Sequence, residues 1–153
     1  MKWYSKNLDG FILIESNVIE LMKKYEQKAS NDFEAGGIFL GYRRGNHLHI
    51  VDATYPLSQD KRGRYFFKRI DKGHQLKAVQ CWNTSNQKID YLGEWHTHPQ
   101  NFPKPSTLDW QEWQKICNCT NNPMIFQIIG STGNFWLGSS GLDGIIQACS
   151  LRS

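Results

Sequence analysis

The pattern of apolar and polar positions predicts three helices. The first begins near Ser16, a residue type that caps helices, and its apolar stripe continues toward residue 29. The second covers residues 71–82, and the third opens at Ser106 and continues to about residue 117. Three apolar residues fall on one face of the second helix: Leu76, Val79 and Trp82.

Short apolar runs between turn residues predict the strands. Residues 36–42 form an apolar run that contains and adjoins glycines, which is typical of a buried strand. Gly45 and Asn46 predict a hairpin turn into a strand over residues 47–52, where apolar and polar positions alternate. Further strands are predicted over residues 64–68, 89–98, 124–129, 134–138 and 144–149.

This succession of elements predicts an α/β fold. The order is helix, three strands, helix, strand, helix and final strands, which is typical of a mixed β-sheet flanked by helices. The 153 residues match the size of one ordinary domain, and neither an internal repeat nor a Pro/Ser-rich linker interrupts them. We therefore expect residues 1–153 to form a single domain.

The composition is typical of a soluble globular protein, with 39% hydrophobic and 21% charged residues. The net charge of +4 is too small to favour binding to nucleic acid. The densest basic segment comprises residues 61–64 and 68–69. It has two interpretations, a solvated loop and strand edge or a docking patch for an acidic protein.

The four cysteines, at positions 81, 117, 119 and 149, include no Cys-x-x-Cys pair, and we expect them to be reduced thiols. The first residues lack the apolar core of a signal peptide. No stretch approaches the roughly 20 apolar residues of a membrane span. The sequence therefore predicts a cytoplasmic protein without a membrane partner.

The segment from residue 96 to residue 109 contains three residues of the kinds that bind zinc. His96 and His98 are two apart in a predicted strand, so their side chains project from the same face. Pro99 ends that strand, and Asp109 follows in the first turn of the third helix. A strand, a loop and a helix start can bring the three side chains together. They predict one catalytic Zn²⁺ with three protein ligands and a fourth position for water.

A zinc hydrolase also needs a base that accepts a proton from the attacking water. Glu34 is one candidate, because it lies just before the glycines of a buried strand, where the backbone can approach a site closely. Glu94 shares the strand face of the two histidines. Glu94 could also be a surface residue or orient a ligand histidine. The residues alone leave the choice of base open. Ser106 lies one helical turn before Asp109, near the expected metal.

The segment 96–99 (His-Thr-His-Pro), followed by Ser106 and Asp109, is preceded by the segment 34–41 (Glu-Ala-Gly-Gly-Ile-Phe-Leu-Gly). This arrangement resembles the JAMM motif of the JAB/MPN family of zinc metallopeptidases. The elements on either side fit the fold of that family, so the resemblance extends over the chain. Every position of the motif is filled, which implies an active enzyme and not one of the metal-free scaffolds of the family.

The resemblance implies removal of ubiquitin or a ubiquitin-like protein from its conjugates, and in bacteria also the processing of sulfur carriers. It implies that His96, His98 and Asp109 hold the Zn²⁺ and that Glu34 is the general base. It further implies that the Ser106 hydroxyl hydrogen-bonds the oxyanion that forms when water attacks the carbonyl group.

The segment 92–99, in a chain of this length, is most similar to small stand-alone bacterial JAB proteins. These include deconjugases of anti-phage operons that also encode a cGAS-like nucleotidyltransferase and a fused E1/E2-like ligase. The similarity implies that the substrate is a protein joined through the C-terminus of that nucleotidyltransferase. An exposed sheet edge near the metal would hold the extended tail as an added strand, between loops 54–64 and 100–105.

The remaining histidines and the tryptophans have simpler interpretations. His47 and His49 form a second His-x-His pair, but nothing downstream completes a metal site, and we expect them at the surface. His74 is expected to be solvated or to cap a helix. Trp95, on the opposite face of the ligand strand, is expected in the core. Core packing is the first interpretation of four further tryptophans, and a groove for the tail is the second: Trp82, Trp110, Trp113 and Trp136.

Three other functions are compatible with the sequence. They are a JAB protease that processes a sulfur carrier or other ubiquitin-like protein, a non-enzymatic MPN interaction module, and a nucleic acid protein. The intact motif argues against the interaction module, and the modest charge argues against nucleic acid. Deconjugation of a protein is therefore the function that we expect.

Overall fold

The computed structural model describes residues 1–151. Within these residues the chain forms eleven strands and three helices. The helices are α1 (Ser16–Lys23), α2 (Gly73–Thr84) and α3 (Thr107–Asn118). The strands are β1 (Lys2–Ser5), β2 (Gly10–Ile14), β3 (Gly36–Arg44), β4 (His47–Ala53), β5 (Lys61–Gly63), β6 (Phe66–Lys68), β7 (Asp90–Thr97), β8 (Ile125–Ile129), β9 (Phe135–Gly141), β10 (Gly144–Gln147) and β11 (Cys149–Leu151).

Nine of the strands form one mixed sheet in the order β10-β9-β8-β7-β3-β4-β2-β1-β11. β10 and β11 lie at opposite ends of this order, yet only Ala148 separates them in the chain. Because consecutive Cα atoms are only about 3.8 Å apart, the sheet must curl until its two ends meet. The C-terminal strands therefore close the sheet. The predicted α/β class, a mixed sheet flanked by helices, is confirmed.

The central strands of the sheet have an apolar core on each face. Along β8, Ile125 and Ile129 join the core that includes the apolar residues of α1. Phe126 and Ile128 point the other way and join the core that includes Trp113 of α3. The two-residue period of a strand accounts for this division. β3 and β7 lie at the centre of the sheet, where the candidate site begins, and they contribute Phe39, Leu92 and Trp95 to the first of these cores.

Several predicted elements are confirmed. The strand over residues 36–42 and its hairpin partner are β3 and β4, with Arg44 opposite His47 across the predicted turn. The strand over residues 89–98 is β7, and the third helix is α3, which Ser106 caps. Trp95 lies in the core, as predicted.

The first helix is shorter than the sequence predicts. α1 ends at Lys23, well before residue 29, and Ser16 is its first helical residue, so the N-cap is the extended Glu15, which makes no side-chain capping bond. Beyond the helix, the buried amide of Gln27 donates to two main-chain carbonyl oxygens. These bonds stabilise an irregular path where a helix would otherwise continue.

Helix α2 presents its three aligned apolar residues to solvent. Their exposed fractions are 69%, 49% and 38% for Leu76, Val79 and Trp82. The buried residue of the helix is His74, whose Nε2 lies 2.7 Å from Asp60 Oδ2 and whose Nδ1 lies 2.6 Å from Thr54 Oγ1. The prediction that His74 is solvated or caps a helix is wrong, because these two polar partners satisfy its ring nitrogens in the interior.

The pattern of apolar and polar residues fails to predict two strands and predicts two others with wrong bounds. β1 and β2 were not expected, since Phe11 and Leu13 leave exposed apolar side chains on β2 and obscure its alternation. The predicted strand 64–68 is one half of a hairpin, β5–β6, and the predicted strand 144–149 is divided at Ala148.

We call residues 54–72, which connect β4 to α2 and contain the β5–β6 hairpin, the arm.

All four cysteines are free thiols, as predicted. Cys81 and Cys117 are half-buried, whereas Cys119 and Cys149 are exposed. Among residues 1–151, no helix combines the length and the apolar composition needed to cross a membrane.

Candidate metal centre

The end of β7 presents two imidazoles side by side. Trp95 and Thr97 turn into the interior of the protein, and His96 and His98 project from the other face. Their Nε2 atoms lie 3.0 Å apart. The two-residue period of the strand thus brings the histidines together, as the sequence predicts.

The start of α3 brings a carboxylate to these imidazoles. Ser106 is the N-cap of the helix, and its Oγ accepts a hydrogen bond from the Asp109 amide at 3.1 Å. Asp109 Oδ2 in turn accepts a bond from the Ser106 amide at 2.8 Å, which completes a capping box. The carboxylate oxygens of Asp109 lie 3.3 Å from His96 Nε2 and 3.2 Å from His98 Nε2. One local motif therefore starts the helix and orients its carboxylate.

The three side chains fit a divalent metal ion. One ligand atom from each of His96, His98 and Asp109 lies within 4.8 Å of the others. Two imidazole nitrogens with one carboxylate oxygen are a typical donor set for catalytic zinc. Gln100 Oε1 lies 3.2 Å from His98 Nδ1, so it can accept the Nδ1 proton and leave Nε2 unprotonated for a metal.

The charges of the cluster also suit a cation. Burial opposes ionisation of Asp109, but hydrogen bonds from His96 and His98 outweigh it and hold the pKa of this carboxyl group well below its usual range. Asp109 is therefore ionised at neutral pH, and it offers the cluster a negative charge.

Glu34 approaches the cluster from the segment that precedes β3. It lies two residues before β3, is 6% exposed, and places its Oε1 3.9 Å from His98 Nε2. With only protein groups around it, burial raises the pKa of Glu34 to about 8, although nearby His98 favours the ionised form. A buried carboxyl group that titrates near neutral pH is suited to exchanging protons.

Glu94, the other candidate base, has different partners. Its Oε1 accepts hydrogen bonds from Arg69 Nε at 2.8 Å and from Tyr91 Oη at 3.3 Å. It is half-buried, and Arg69 neutralises it, so it is neither a simple surface residue nor the partner of a ligand histidine. The arrangement therefore favours Glu34 over Glu94 as the base.

Two polar contacts of the site were not predicted from the sequence. Besides Gln100, a buried network links Gln27 to β7, because Thr97 Oγ1 donates to Gln27 Oε1 at 3.0 Å. The same Thr97 hydroxyl accepts a bond from the Ala35 amide at 2.9 Å, next to Glu34. Gln100 has a weak signal, since it lies two residues after His98, whereas nothing in the sequence relates Gln27 to this site.

The basic segment of the arm is largely used inside the protein. Arg62 donates to the carbonyl oxygen of Glu34, Arg64 to that of Ser30, and Arg69 to the Glu94 carboxylate. The interpretation of this segment as a solvated loop and strand edge therefore holds only in part, because main-chain and carboxylate oxygens bind the half-buried arginines. Two lysines of the segment are exposed, Lys61 and Lys68.

The remaining aromatic and histidine residues follow the predictions in part. Trp113 of α3 and Trp136 of β9 are buried, and the Trp113 ring centroid lies 6.0 Å from that of His96. Core packing is wrong for the other two tryptophans, because Trp110 is 40% exposed on α3 and Trp82 is 38% exposed on α2. His47 lies at the surface and accepts a bond from a backbone amide, and the half-buried His49 pairs with Glu15.

A glutamine at position 34 is expected to stabilise the chelator-treated protein at alkaline pH. The pKa of Glu34 is raised from an ordinary 4.5 to about 8, so the group favours folding below pH 4.5 and loses that contribution as the pH rises to about 8. Urea denaturation should show that Glu34→Gln gains roughly 2–4 kcal/mol relative to wild type between about pH 5 and pH 9. The exposed Glu112→Gln is the control. Equal pH dependence in wild type and Glu34→Gln would contradict the prediction.

The fold and the cluster agree with a family relationship. The family described as prokaryotic homologs of the JAB domain matches residues 18–138. The match covers most of the chain and includes Glu34, both histidines and Asp109. The chain therefore belongs to the prokaryotic JAB family.

Two relatives are similar to the chain over most of its length. A CD-NTase/cGAS isopeptidase of Pseudomonas aeruginosa is 39% identical over 114 residues, which are 74% of this chain and 72% of that protein. A CD-NTase/cGAS isopeptidase of Escherichia coli is 38% identical over 132 residues, which are 86% of this chain and 83% of that protein.

The solution structure of protein DSY2949 from Desulfitobacterium hafniense shares the fold. The TM-score is 0.62 at 22% identity, and the match covers 89% of this chain and 88% of that chain. The overall fold of this chain therefore also occurs in a solved protein.

Proposed function

We propose that this protein is a zinc-dependent isopeptidase that releases a protein joined through the C-terminal tail of a cGAS-like nucleotidyltransferase or a ubiquitin-like protein. The observation that carries the proposal is the cluster of His96, His98 and Asp109, with the Glu34 carboxyl group 3.9 Å from one imidazole. Relatives named CD-NTase/cGAS isopeptidases support the choice of substrate. Such cleavage would reverse an E1/E2-like ligation in anti-phage defence.

The first task of the chain is to hold the metal and leave room for the reactants. A zinc ion bound by His96, His98 and Asp109 would supply a Lewis acid that polarises the carbonyl and makes water a stronger nucleophile. By accepting the Nδ1 proton, Gln100 would hold His98 in the tautomer that binds metal through Nε2. Three protein ligands leave the open position that a hydrolase needs.

Glu34 is the proton carrier in the proposed reaction. It accepts a proton as water attacks the carbonyl carbon, and it gives that proton to the amine nitrogen as the carbon–nitrogen bond breaks. Its burial suits both transfers, because removal from water raises the pKa of Glu34 and makes its carboxylate a stronger base.

Ser106 is the proposed donor to the oxyanion. Its Oγ already accepts the Asp109 amide hydrogen, so its own hydroxyl hydrogen remains able to donate to a substrate oxygen. The capping box fixes the Ser106 side chain beside the ligand carboxylate. A donor aimed in advance at a developing negative charge stabilises the transition state more than the substrate.

Removing the Ser106 hydroxyl should affect catalysis and stability separately. Both Ser106→Ala and Ser106→Gly are expected to lower kcat by about 10²–10³. Ser106→Ala should also lose about 1 kcal/mol of stability, whereas Ser106→Gly should lose only a few tenths, because glycine is an acceptable N-cap. Steady-state kinetics and urea denaturation measure the two effects. If Ser106→Ala lost much more kcat than Ser106→Gly, in line with its larger loss of stability, Ser106 would be a helix cap without a catalytic role.

The substrate tail is proposed to lie between the arm and loop 100–105. The β5–β6 hairpin can pair with an extended peptide through a strand edge, and its three-residue strands lie next to Glu34. Residues 102–105 of the second loop line a cavity of about 500 Å³ together with Trp136, and Phe102 among them is 75% exposed. We further propose that residues 1–153 act as one JAB domain.

The proposal is tested with purified protein and three fusions. A fluorescent protein is attached to the C-terminus of a cGAS-like nucleotidyltransferase, to the same protein without its flexible tail, and to ubiquitin. One zinc per chain with cleavage of the first fusion alone would support the whole proposal. If the protein contains zinc but cleaves only the ubiquitin fusion, the proposed isopeptidase activity stands and the proposed substrate is wrong. Absence of zinc from protein purified without chelator would overturn the proposed mechanism.

A further inference from the structure

The backbone of Glu34 is bonded to the arm. Its N–H donates to the carbonyl oxygen of Gly63 in β5 at 2.7 Å, and its carbonyl oxygen accepts a bond from Arg62 Nε at 2.8 Å. Arg62 Nη2 lies 3.4 Å from the carbonyl oxygen of Phe33, one residue earlier. Both main-chain polar groups of Glu34 are therefore held by one strand of the β5–β6 hairpin.

The other strand of the hairpin packs against the same segment. A Cβ atom at Gly36 would lie 2.7 Å from the ring of Phe67 in β6 and 2.6 Å from the carbonyl oxygen of Trp95. Atoms of real side chains do not approach this closely, so glycine is required at position 36 for the hairpin to lie where it does. The hairpin thus contacts the Glu34 segment by hydrogen bonds and by packing.

The arm is itself fixed at points away from Glu34. Asp60 Oδ1 accepts bonds from two backbone amides near the end of the arm, each at 2.9 Å. Arg69 is paired with Glu94 of β7. Gln27 donates to the carbonyl oxygen of Arg64 at 2.9 Å and accepts from Thr97, between the two histidines. These contacts make the arm a braced support and not a loose loop.

We propose that Arg62 is a positioning residue that fixes the backbone of Glu34, so that the arm sets the position of the general base. This inference rests on the function proposed above. A displacement of a reacting group by about 1 Å can cost about 100-fold in rate, and the Glu34 carboxyl group is already 3.9 Å from His98 Nε2. The same hairpin would hold the substrate tail, so substrate binding and placement of the base share one element.

Variants of two arginines of the hairpin test the proposal. Arg62→Ala is expected to lower kcat about 10–100-fold, with KM changed less than about twofold and one zinc retained. Arg62→Lys should recover most of this loss, because an ammonium group can also donate to the Glu34 carbonyl. Arg64→Ala is the matched control, since its guanidinium group bonds to Ser30 and Tyr65 and not to Glu34.

Chemical rescue distinguishes positioning from a general loss of structure. Guanidinium chloride at about 20 mM, well below denaturing concentrations, should restore part of the kcat of Arg62→Ala and should not raise that of Arg64→Ala. A wild-type kcat in Arg62→Ala would overturn the proposal. So would a loss of activity accompanied by loss of zinc, with rescue by neither lysine nor guanidinium.

Hydrogen exchange of the Glu34 amide provides a measurement without substrate. In zinc-loaded protein studied by NMR, Arg62→Ala should accelerate this exchange at least about tenfold, because the bond to Gly63 opens more often. Arg64→Ala should leave it unchanged. If wild type cleaves no conjugate, this exchange result decides the positioning proposal, while the failure belongs to the proposed function. Equal protection in wild type and Arg62→Ala would refute the role of Arg62.

Discussion

Cleavage by the Glu34→Gln variant is expected to fall by at least about 100-fold, while zinc remains at one ion per chain. General acid–base catalysis contributes about 10²–10⁴ to such rates, and glutamine cannot accept the proton. The metal should stay, because Glu34 is not a member of the ligand cluster and glutamine has nearly the same shape. Single-turnover cleavage of the nucleotidyltransferase fusion and elemental analysis of the same sample measure the two quantities.

Glu94→Gln is the matched control for this variant. Its amide oxygen can still accept a hydrogen bond from Arg69, so the arm should keep its place. We expect less than about a threefold change in cleavage, as for a residue that does not take part in proton transfer. If cleavage instead persists in Glu34→Gln and disappears in Glu94→Gln, the base is Glu94 and the proposed mechanism must be redrawn.

The Asp109→Ala variant should lose zinc and, with it, all detectable cleavage. Its carboxylate lies within 3.3 Å of both imidazoles, and without it only two neutral ligands remain. Even partners in the outer shell of a metal site contribute 10–100-fold to affinity, so we expect the loss of a ligand to weaken binding by at least about 100-fold. Competition against a fluorescent zinc indicator measures this affinity.

Removing Asp109 also breaks the capping box of α3. Two further variants separate the loss of helix stability from the loss of zinc affinity. Asp109→Asn keeps a side chain that can accept the Ser106 amide hydrogen but lacks the negative charge. It should recover most of the stability of α3 and little of the zinc affinity. Glu112→Ala, one turn along the helix and exposed to solvent, should change neither quantity. Full zinc occupancy in Asp109→Ala would remove Asp109 from the ligand set.

The parts of the site that are encoded locally could be predicted from the sequence. The strand period places His96 and His98 on one face, and a helix cap three residues before Asp109 turns its carboxylate toward them. Both effects act over a few residues, so they appear directly in the spacing of the motif. The buried strand β3 and its hairpin turn are likewise visible as an apolar run and a turn pair.

The contacts that support the site could not be predicted, because they join distant segments. Gln27 and Thr97 are 70 residues apart in the chain, and no spacing rule relates an amide to a hydroxyl at that distance. Charge patterns also hide the bonds of Arg62, since a guanidinium group that binds a carbonyl oxygen leaves no opposite charge in the sequence. The buried position of His74 was also missed, because its partner Asp60 lies in the arm, a separate segment of the chain.

Closure of the sheet constrains how the protein can be made. β11 pairs with β1, so that Leu151 lies opposite Lys2, and this contact joins the two ends of the described chain. During synthesis the residues of the metal cluster leave the ribosome before β11 exists. Contacts between such distant segments form slowly, and until they form the nascent chain exposes a strand edge that can pair with other chains. We therefore expect aggregation to compete with folding until β11 pairs with β1.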